Sequence, residues 1–330
     1  MATVKAKGID VSYWQGKPAD SAYRKYSAAG WKFLIARIGY ADKGIRYEDS
    51  TFEYNMEKAK KYGIQFGVYF YSNAQNRAEG KEEAQYVLRI LKKRSLQLPV
   101  WIDMEDNATS GKASKRDLAA ACKAFCSTIE EEGYMAGVYA STSWFSTKIG
   151  SLGSLRKWVA QYNDKVTYGG TYDMWQYSST ATVAGFSGHR DVNRSYVLFD
   201  RQNFLIRPKV NLQIRSGQSL KSKKTGVLNK NGFYRVVRVN AKGNRGYVKG
   251  EGWVTVTSKY AQRVPGETFN IETKGNLIVR ESPLLSSAKI GVLKKNRKYS
   301  VVAISQDGKR GQLKNGGWIT VTNKYVKIIP

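Results

Sequence analysis

The chain has 330 residues, of which 42% are hydrophobic, and it carries a formal net charge of +29. This length predicts two or three domains, and the absence of any apolar run of about 18 residues excludes a membrane-spanning helix. The N-terminus lacks the apolar stretch of about 7 to 15 residues that a secretory leader has, so we expect no Sec-type signal peptide.

Strand-like and helical patterns alternate through the first 205 residues. Helical patterns fit the gaps after the first four strand-like runs, and a short one follows the fifth. After Lys157 the gaps become too short for most helices. Such alternation predicts an α/β domain, a degenerate (β/α) TIM-like barrel closed by antiparallel strands. The predicted strands are residues 8–12, 33–39, 65–72, 99–105, 135–141, 157–162, 174–179 and 191–199.

Four acids lie at the predicted strand ends, where a parallel barrel has its active site. Asp10 ends the first strand, Asp103 and Glu105 end the fourth, and Asp191 begins the last. Because alternate strand residues face the same side, Asp103 and Glu105 should project together and perturb each other's pKa. Glycosidic cleavage uses such a pair, one protonated and one ionised. A lone D-x-E pattern can also be a solvated turn, and we interpret Asp106 as a turn residue.

Aromatic residues accompany these strand ends. Aromatic faces stack on sugar rings, but aromatics in strands are also common core residues, so both interpretations stay open. The predicted substrate-binding residues are Trp14, Tyr40, Tyr69, Tyr71, Tyr139 and Trp175, and Tyr162 belongs to the same group.

Other chemistries lack the residues they need. His189 is the only histidine, which argues against a multi-histidine zinc site, and we interpret it as a structural or loop residue that orients neighbours such as Asp191. Cys122 and Cys126 lie four apart in a helical pattern and are predicted to be packing residues, which also excludes a disulfide framework. No glycine-rich phosphate-binding motif occurs. We therefore expect no metal and no cofactor.

A tandem repeat occupies the C-terminal region. The segment NLQIRSGQSL from Asn211 aligns without a gap on NLIVRESPLL from Asn276, and each unit of short β-branched runs predicts a small antiparallel barrel. Residues 206–330 hold 26 of the 55 Lys and Arg but only 5 of the 26 Asp and Glu, a net charge of +21 against +8 for the rest. The positive electrostatic field of this charge favours an anionic partner. The predicted domains are residues 1–205, 206–265 and 266–330, with residues 262–275 as the connection between the repeats.

The first 200 residues resemble glycoside hydrolase family 25, the muramidase-type lysozymes of phage endolysins and bacterial autolysins. The motifs KGIDVSYWQG, GVYFYS, VWIDME, GVYAS, KWVAQYN, DMWQYS and GHRDVNR occur in the family's order. The repeats look like bacterial Src-homology-3 domains, which in this setting usually bind the cell wall. The resemblance implies five βα units closed by three further strands, followed by two small Src-homology-3-like β-barrels.

The resemblance also implies roles for the four acids. Glu105 would be the general acid, and Asp103 the partner carboxylate that positions the substrate's acetamido group or stabilises positive charge. Asp10 and Asp191 would orient the site and bind substrate. Many members have a histidine between two aromatics in the third strand, and Phe70 stands there instead, which leaves one subsite contact open.

The expected function is therefore hydrolysis of the β-1,4 bond between N-acetylmuramic acid and N-acetylglucosamine in bacterial peptidoglycan. Anionic wall polymers are possible partners of the repeats, and we expect no nucleic acid partner and no membrane insertion. A phage endolysin, made in the host cytoplasm and released by a holin, fits the absent leader. The alternatives are a bacterial autolysin, a catalytically inactive wall-binding or polysaccharide-binding protein, and a nucleic-acid-binding protein, although no RNA-binding aromatic motif supports the last.

Overall fold

The computed structural model describes residues 3–199, 204–230, 232–240, 242–248, 250–264 and 268–329. The chain divides into two compact units, Met1–Ile90 with Leu96–Phe199, and Leu91–Ser95 with Asp200–Pro330. Within the described ranges, no helix is long and apolar enough to cross a membrane.

The first unit alternates strands and helices. Its strands are β1 Ala6–Val11, β2 Phe33–Asp42, β3 Ile45–Glu48, β4 Gln65–Tyr71, β5 Val100–Asp103, β6 Ala136–Ser141, β7 Arg156–Ala160, β8 Met174–Val183 and β9 Phe186–Ser195. Its α-helices are α1 Asp20–Ala28, α2 Phe52–Lys61, α3 Arg77–Leu91, α4 Lys115–Glu131 and α5 Thr142–Thr147. Short 3₁₀ helices lie at Tyr13–Gln15 and Ser110–Lys112.

The sheet of this unit closes into a barrel. β1 pairs in parallel with β2 and antiparallel with β9, which joins the two ends of the order β1-β2-β4-β5-β6-β7-β8-β9. Five helices follow the earlier strands and β7, β8 and β9 complete the circle, so the predicted degenerate barrel is confirmed.

The closing strands differ in direction from the prediction. Among the described barrel strands β9 alone runs antiparallel, because β8 pairs in parallel with β7. A parallel pair needs a connection of about a dozen residues, and residues 161–173 provide one without a helix. The two-residue turn between β8 and β9 permits only a hairpin.

A hairpin outside the barrel was not predicted from the sequence. β3 pairs antiparallel with the end of β2 and sets Tyr47 opposite Tyr40. Lys43 and Gly44 form the turn with φ of 48° and 81°, as a two-residue hairpin turn requires. The hairpin enlarges the barrel rim at the end where the strands finish.

Large side chains fill the barrel and seal it against the helices. An interior cluster includes Phe33, Trp101 and Trp158. Cys122 and Cys126 are buried on α4, and burial raises the pKa of both thiols, to about 12 for Cys122. Both cysteines are therefore packing residues, as predicted.

The second unit contains two sheets of the same topology. The first sheet comprises β10 Phe204–Pro208, β11 Leu212–Arg215, β12 Lys224–Leu228, β13 Tyr234–Val239, β14 Arg245–Val248, β15 Gly252–Thr255 and β16 Ala261–Val264. The second comprises β17 Phe269–Thr273, β18 Leu277–Arg280, β19 Lys289–Leu293, β20 Lys298–Ile304, β21 Arg310–Leu313, β22 Trp318–Thr320 and β23 Val326–Ile329. The orders β12-β11-β15-β14-β13-β10-β16 and β19-β18-β22-β21-β20-β17-β23 correspond strand for strand.

The limits of the repeats differ from the prediction in two places. β10 begins at Phe204, so the predicted boundary after residue 205 falls inside a strand. The predicted connection at 262–275 contains most of β16 and all of β17, because each sheet takes its first strand from the chain before the aligned segment. Pro265, Gly266 and Glu267 of this segment lie outside the described residues.

The two repeats pack against each other. Leu205 of β10 belongs to the hydrophobic core that includes Ile271 of the second repeat. The rings of Phe233 and Phe269 lie 4.3 Å apart, and Arg235 Nε donates to the carbonyl oxygen of Gln306 at 2.9 Å. These contacts hold the repeats as one body with a fixed spacing.

Candidate active site

An open cavity of about 150 Å³ lies at the C-terminal ends of the barrel strands. The four predicted acids all reach it from three strands: Asp10 from β1, Asp103 and Glu105 from the end of β5, and Asp191 from the middle of β9. The prediction that Asp191 begins the last strand is therefore wrong, because β9 starts at Phe186. The lining residues are Asp10, Tyr69, Asp103, Glu105, Tyr139, Trp158, Tyr162, Gln176 and Asp191. Among the residues that the structure describes, no group of three or more His, Cys, Asp or Glu could hold a metal ion.

The β5 end delivers the central pair of acids. Asp103 is the last residue of β5, in register with Tyr71 of β4 on one side and Tyr139 of β6 on the other. Met104 is fully buried, and Glu105 follows beyond the strand end. The predicted strand therefore ran two residues past the C-terminal end of β5. Asp103 and Glu105 nevertheless line the same cavity, as the alternation predicted.

Asp103 occupies the most desolvated position of the four. It is 3% exposed, and its Oδ1 atom is buried without a hydrogen-bond partner in the described part of the chain. Burial raises the pKa of Asp103 well above its ordinary value, and repulsion by Glu105 and Asp10 adds to this, while Arg37 opposes it. This carboxyl therefore retains its proton more readily than an ordinary aspartate.

Glu105 lies at the mouth of the cavity. The residue as a whole is exposed, whereas its carboxyl group lines the cavity beside the other acids. Partial burial raises the pKa of Glu105, and repulsion by Asp191 and Asp106 raises it further. A carboxyl with a raised pKa and a path to water can both donate and recover a proton.

Asp10 and Asp191 face each other across the seam where the barrel closes, as register partners on β1 and β9. Asp10 Oδ2 accepts hydrogen bonds from Gln176 Nε2 at 3.0 Å and Asn193 Nδ2 at 2.6 Å. Burial, followed by repulsion from Asp191, still raises the pKa of Asp10 to about 7. Burial raises the pKa of Asp191 to about 6, against the opposing charge of Arg190.

Two amide side chains orient Asp10, and both were missed from the sequence. Gln176 Oε1 accepts from the hydroxyls of Tyr139 at 2.8 Å and Tyr162 at 3.0 Å. Asn193 Oδ1 accepts from Trp158 Nε1 at 2.8 Å. Since each amide oxygen is occupied, each amide nitrogen points to Asp10. Period-two alternation could have found Asn193, which lies two residues after the predicted acid Asp191, but it could not decide between Gln176 and Trp175.

Apart from Trp175, the predicted aromatic residues separate into three groups. Tyr69, Tyr139 and Tyr162 line the cavity. Tyr71 is half-buried beside it, and burial together with repulsion by Asp106, Asp103 and Glu105 raises its pKa to about 12. Trp14 and Tyr40 do not line the cavity and belong to a stack of rings at the barrel rim.

The predicted place of Trp175 in the substrate groove is not supported. Met174 packs in the barrel interior and Gln176 lines the cavity, so strand alternation turns Trp175 outward. Its side chain is 3% exposed, and its Nε1 donates to the carbonyl oxygen of Gln161 at 2.8 Å. Arg194 covers its ring at 4.9 Å. No open aromatic face remains for a sugar.

Three other predicted positions have local roles. Phe70 is buried beside Tyr86 of α3, 6.0 Å between ring centroids, so it faces the helix layer and not the cavity. His189 is exposed on β9. Asp106 accepts from the backbone nitrogen of Ala108 at 2.8 Å, which agrees with its interpretation as a turn residue.

The chain is similar to two bacterial lysozymes. It is 26% identical over 189 residues to the autolytic lysozyme of Clostridium acetobutylicum, covering 57% of this chain and 55% of that protein. It is 29% identical over 213 residues to lysozyme M1 of Streptomyces globisporus, covering 58% of this chain and 68% of that protein. The chain thus spans about half the length of the first relative and two thirds of the second.

Solved structures and a family model cover the same region. The modular autolysin LytC of Streptococcus pneumoniae, in complex with a synthetic peptidoglycan ligand, matches with a TM-score of 0.51 and 25% identity over 57% of this chain and 46% of that one. A family 25 glycosyl hydrolase of Bacillus anthracis shares the fold, with a TM-score of 0.51 and 20% identity over 60% of this chain and 91% of that one. The model of glycosyl hydrolases family 25 matches residues 9–186. With this match over more than half its length, the chain belongs to glycosyl hydrolases family 25.

Proposed function

We propose that the barrel is an N-acetylmuramidase, which hydrolyses the β-1,4 bond between N-acetylmuramic acid and N-acetylglucosamine in peptidoglycan. The observation that carries this proposal is the convergence of Asp10, Asp103, Glu105 and Asp191 in one open cavity. Burial raises the pKa of all four, which suits acid catalysis near neutral pH. The lysozyme relatives and the peptidoglycan ligand of LytC support the same substrate class.

In this mechanism Glu105 donates a proton to the glycosidic oxygen as the bond to the anomeric carbon breaks. Its position at the cavity mouth gives the proton a path from and to water. Positive charge then develops on the sugar ring, close to the other three acids, and those of their carboxyls that are ionised stabilise it. Glu105, now ionised, accepts a proton from the water that completes hydrolysis.

The unpaired oxygen of Asp103 supports its role toward the acetamido group. A buried acceptor without a donor costs about 1–3 kcal/mol, and Oδ1 of Asp103 is such an acceptor. An acetamido N–H from the substrate would supply the missing donor. That hydrogen bond would also favour the ionised form of Asp103 once substrate is bound.

Replacement of Glu105 tests the assignment. Glu105→Gln keeps the shape of the side chain but cannot donate the carboxyl proton, so release of reducing sugar from purified walls should fall by at least about 100-fold. Glu57→Gln, an exposed position on α2, is the matched control and should retain full activity. Full activity of Glu105→Gln would refute the role of Glu105.

The products of digestion separate the possible reactions. Mass spectrometry of digested peptidoglycan should find N-acetylmuramic acid at the new reducing ends. N-acetylglucosamine there would indicate a glucosaminidase. If no wall suspension clears at any pH, the inactive wall-binding alternative replaces the hydrolase.

We also propose that the two repeats are Src-homology-3-like modules that hold the enzyme on the wall. Their matching strand orders, fixed mutual packing and net charge of +21 support two sites of one kind at a constant spacing. Two weak sites on one polymer bind with an avidity of roughly 100-fold or more above either alone. Retention of the Glu105→Gln chain on walls and on DNA across a salt series would separate wall binding from nucleic-acid binding. A role in host lysis after holin release stays a prediction.

A further inference from the structure

Five side chains form a continuous stack at the rim of the barrel. In spatial order they are Trp14, Tyr13, Arg37, Tyr40 and Tyr47, and we call them the aromatic stack. The rings of Trp14 and Tyr13 lie 4.4 Å apart, and those of Tyr40 and Tyr47 lie 5.1 Å apart. The guanidinium carbon of Arg37 lies between the pairs, 4.6 Å from the Tyr13 ring and 4.8 Å from the Tyr40 ring.

The aromatic stack is held rigidly from behind. Asp49 is buried, and its Oδ2 accepts from Arg37 Nε at 2.8 Å and from the backbone nitrogen of Tyr13 at 3.0 Å. Ser12 and Gln15 form a capping box around the 3₁₀ helix that carries Trp14. The rings are therefore positioned before any ligand arrives, which lowers the entropic cost of binding.

Three rings of the stack are open to solvent. Trp14 is 75% exposed, Tyr47 40% and Tyr13 38%, and packing in the barrel core does not explain rings at these positions. Trp14 follows β1 and Tyr47 follows the end of β2 through the β3 hairpin, so both lie at the cavity end of the barrel. A fixed, exposed aromatic surface of this kind indicates a ligand.

The stack continues into the cavity through Arg37. Arg37 of β2 is the register partner of Tyr69 on β4, and Tyr69 lines the cavity, so the stack adjoins the cavity wall through this strand pair. A glycan chain with one bond in the cavity must leave it on both sides. The aromatic stack lies at the same end of the barrel as the cavity.

We propose that the aromatic stack binds a sugar ring of the glycan chain outside the cleavage cavity, as a remote subsite for long β-1,4-linked N-acetylhexosamine polymers. This inference rests on the proposed glycan substrate. The ligand is a neutral sugar face and not an anionic group, because Arg37 is buried and both faces of its guanidinium are covered by rings. The apolar C–H face of a pyranose matches the exposed face of Trp14.

Binding to a catalytically inactive chain tests the proposal without hydrolysis. The full-length Glu105→Gln chain is titrated calorimetrically with β-1,4-linked N-acetylglucosamine oligomers of two and six units. The six-unit oligomer should bind more tightly than the two-unit one, since only the longer chain spans the cavity and the stack. Adding Trp14→Ala should weaken six-unit binding by about tenfold, the equivalent of one aromatic stacking contact, and reduce the advantage of the longer oligomer.

Two further variants keep the test specific. Tyr47→Ala removes the other end of the stack and should also weaken six-unit binding. Trp31→Ala is the control, because Trp31 precedes β2 at the opposite end of the barrel and stacks on Tyr26. It should leave the affinity for both oligomers unchanged. Circular dichroism of each variant verifies the fold.

The outcomes separate this inference from the proposed function. If Trp14→Ala and Tyr47→Ala bind the six-unit oligomer as tightly as the parent, the subsite is refuted, whatever the activity of the native chain. If the native chain releases no reducing sugar but six-unit binding depends on Trp14, the subsite stands and the hydrolase assignment fails. Equal loss of affinity for the two-unit oligomer would place Trp14 in the cleavage site itself and overturn the remote position.

Discussion

Replacing Asp10 by asparagine should stabilise the barrel at neutral pH while it impairs activity. Gln176 and Asn193 both donate to the same oxygen, Oδ2, of Asp10. The oxygen of an asparagine side chain can accept both hydrogen bonds, so the substitution removes the carboxylate charge without removing these contacts. The charge that disappears is buried and faces Asp191.

The pKa of Asp10 determines the size and the pH range of the effect. Burial, with repulsion from Asp191, raises this pKa from 3.8 to about 7. Below pH 3.8 the carboxyl of Asp10 is protonated in both the folded and the unfolded state, so its pKa shift does not change the free energy of unfolding. Between pH 3.8 and 7 the unfolded state loses its proton first, and the free energy of unfolding falls as pH rises. A tenfold difference in proton affinity is about 1.4 kcal/mol, so the loss approaches about 4 kcal/mol above pH 7.

The expected gain in the free energy of unfolding is smaller than about 4 kcal/mol. The reason is that Asp10 and Asp191 titrate as a pair, so the pKa shift does not belong to Asp10 alone. We expect Asp10→Asn to raise the free energy of unfolding by about 2–4 kcal/mol at pH 8 and by less than about 0.5 kcal/mol at pH 4. Urea unfolding of both chains, followed by circular dichroism at pH 4, 6 and 8, measures the difference. Asp42→Asn, at an exposed site, is the control. An equal gain at pH 4 and pH 8, or a loss at pH 8, would refute the electrostatic reasoning.

Two further substitutions test how α3 supports the barrel. Glu83 is buried and accepts hydrogen bonds from Ser72 Oγ at 2.5 Å and from the backbone nitrogen of Asn73 at 3.1 Å. Glu83→Ala should therefore lower the free energy of unfolding in urea by about 1–3 kcal/mol and lower kcat on walls. An unchanged kcat would contradict this expectation. A Cβ at Gly80 would lie 2.3 Å from the carbonyl oxygen of Ala121. Gly80→Ala should therefore push α3 away from α4 and lower the free energy of unfolding by about 1–3 kcal/mol. An unchanged melting temperature would show that the helices adjust freely.

The pair of Asp103 and Glu105 was predictable because its geometry is local. Asp103 and Glu105 are two residues apart after a short apolar run, and one strand end suffices to bring them to one side. The residues that orient Asp10 were not predictable in this way, since Gln176 and Asn193 lie 166 and 183 positions further along the chain. Only closure of the barrel brings them together.

Errors arose where both faces of an element look alike. MWQYSS alternates large and polar residues without an apolar face and a polar face, so the pattern leaves open whether Trp175 or Gln176 points inward. Packing of Met174 in the barrel decided it. The β3 hairpin was missed because IRYE has no buried face, and it forms by pairing with β2 alone. The first strand of each repeat was missed because it lies before the segment that aligns.

By itself the sequence determined the class of the barrel, the internal repeat and the acids at the strand ends, because hydrophobic periodicity and residue spacing are properties of short segments. Only the tertiary structure decided which side chains share the cavity, since β1 must meet β9 before Asp10 can face Asp191. It also decided the raised pKa values, because desolvation depends on the packing of distant segments around each carboxyl. The aromatic stack also depends on the tertiary structure, because β1, β2 and β3 together bring its residues into one surface.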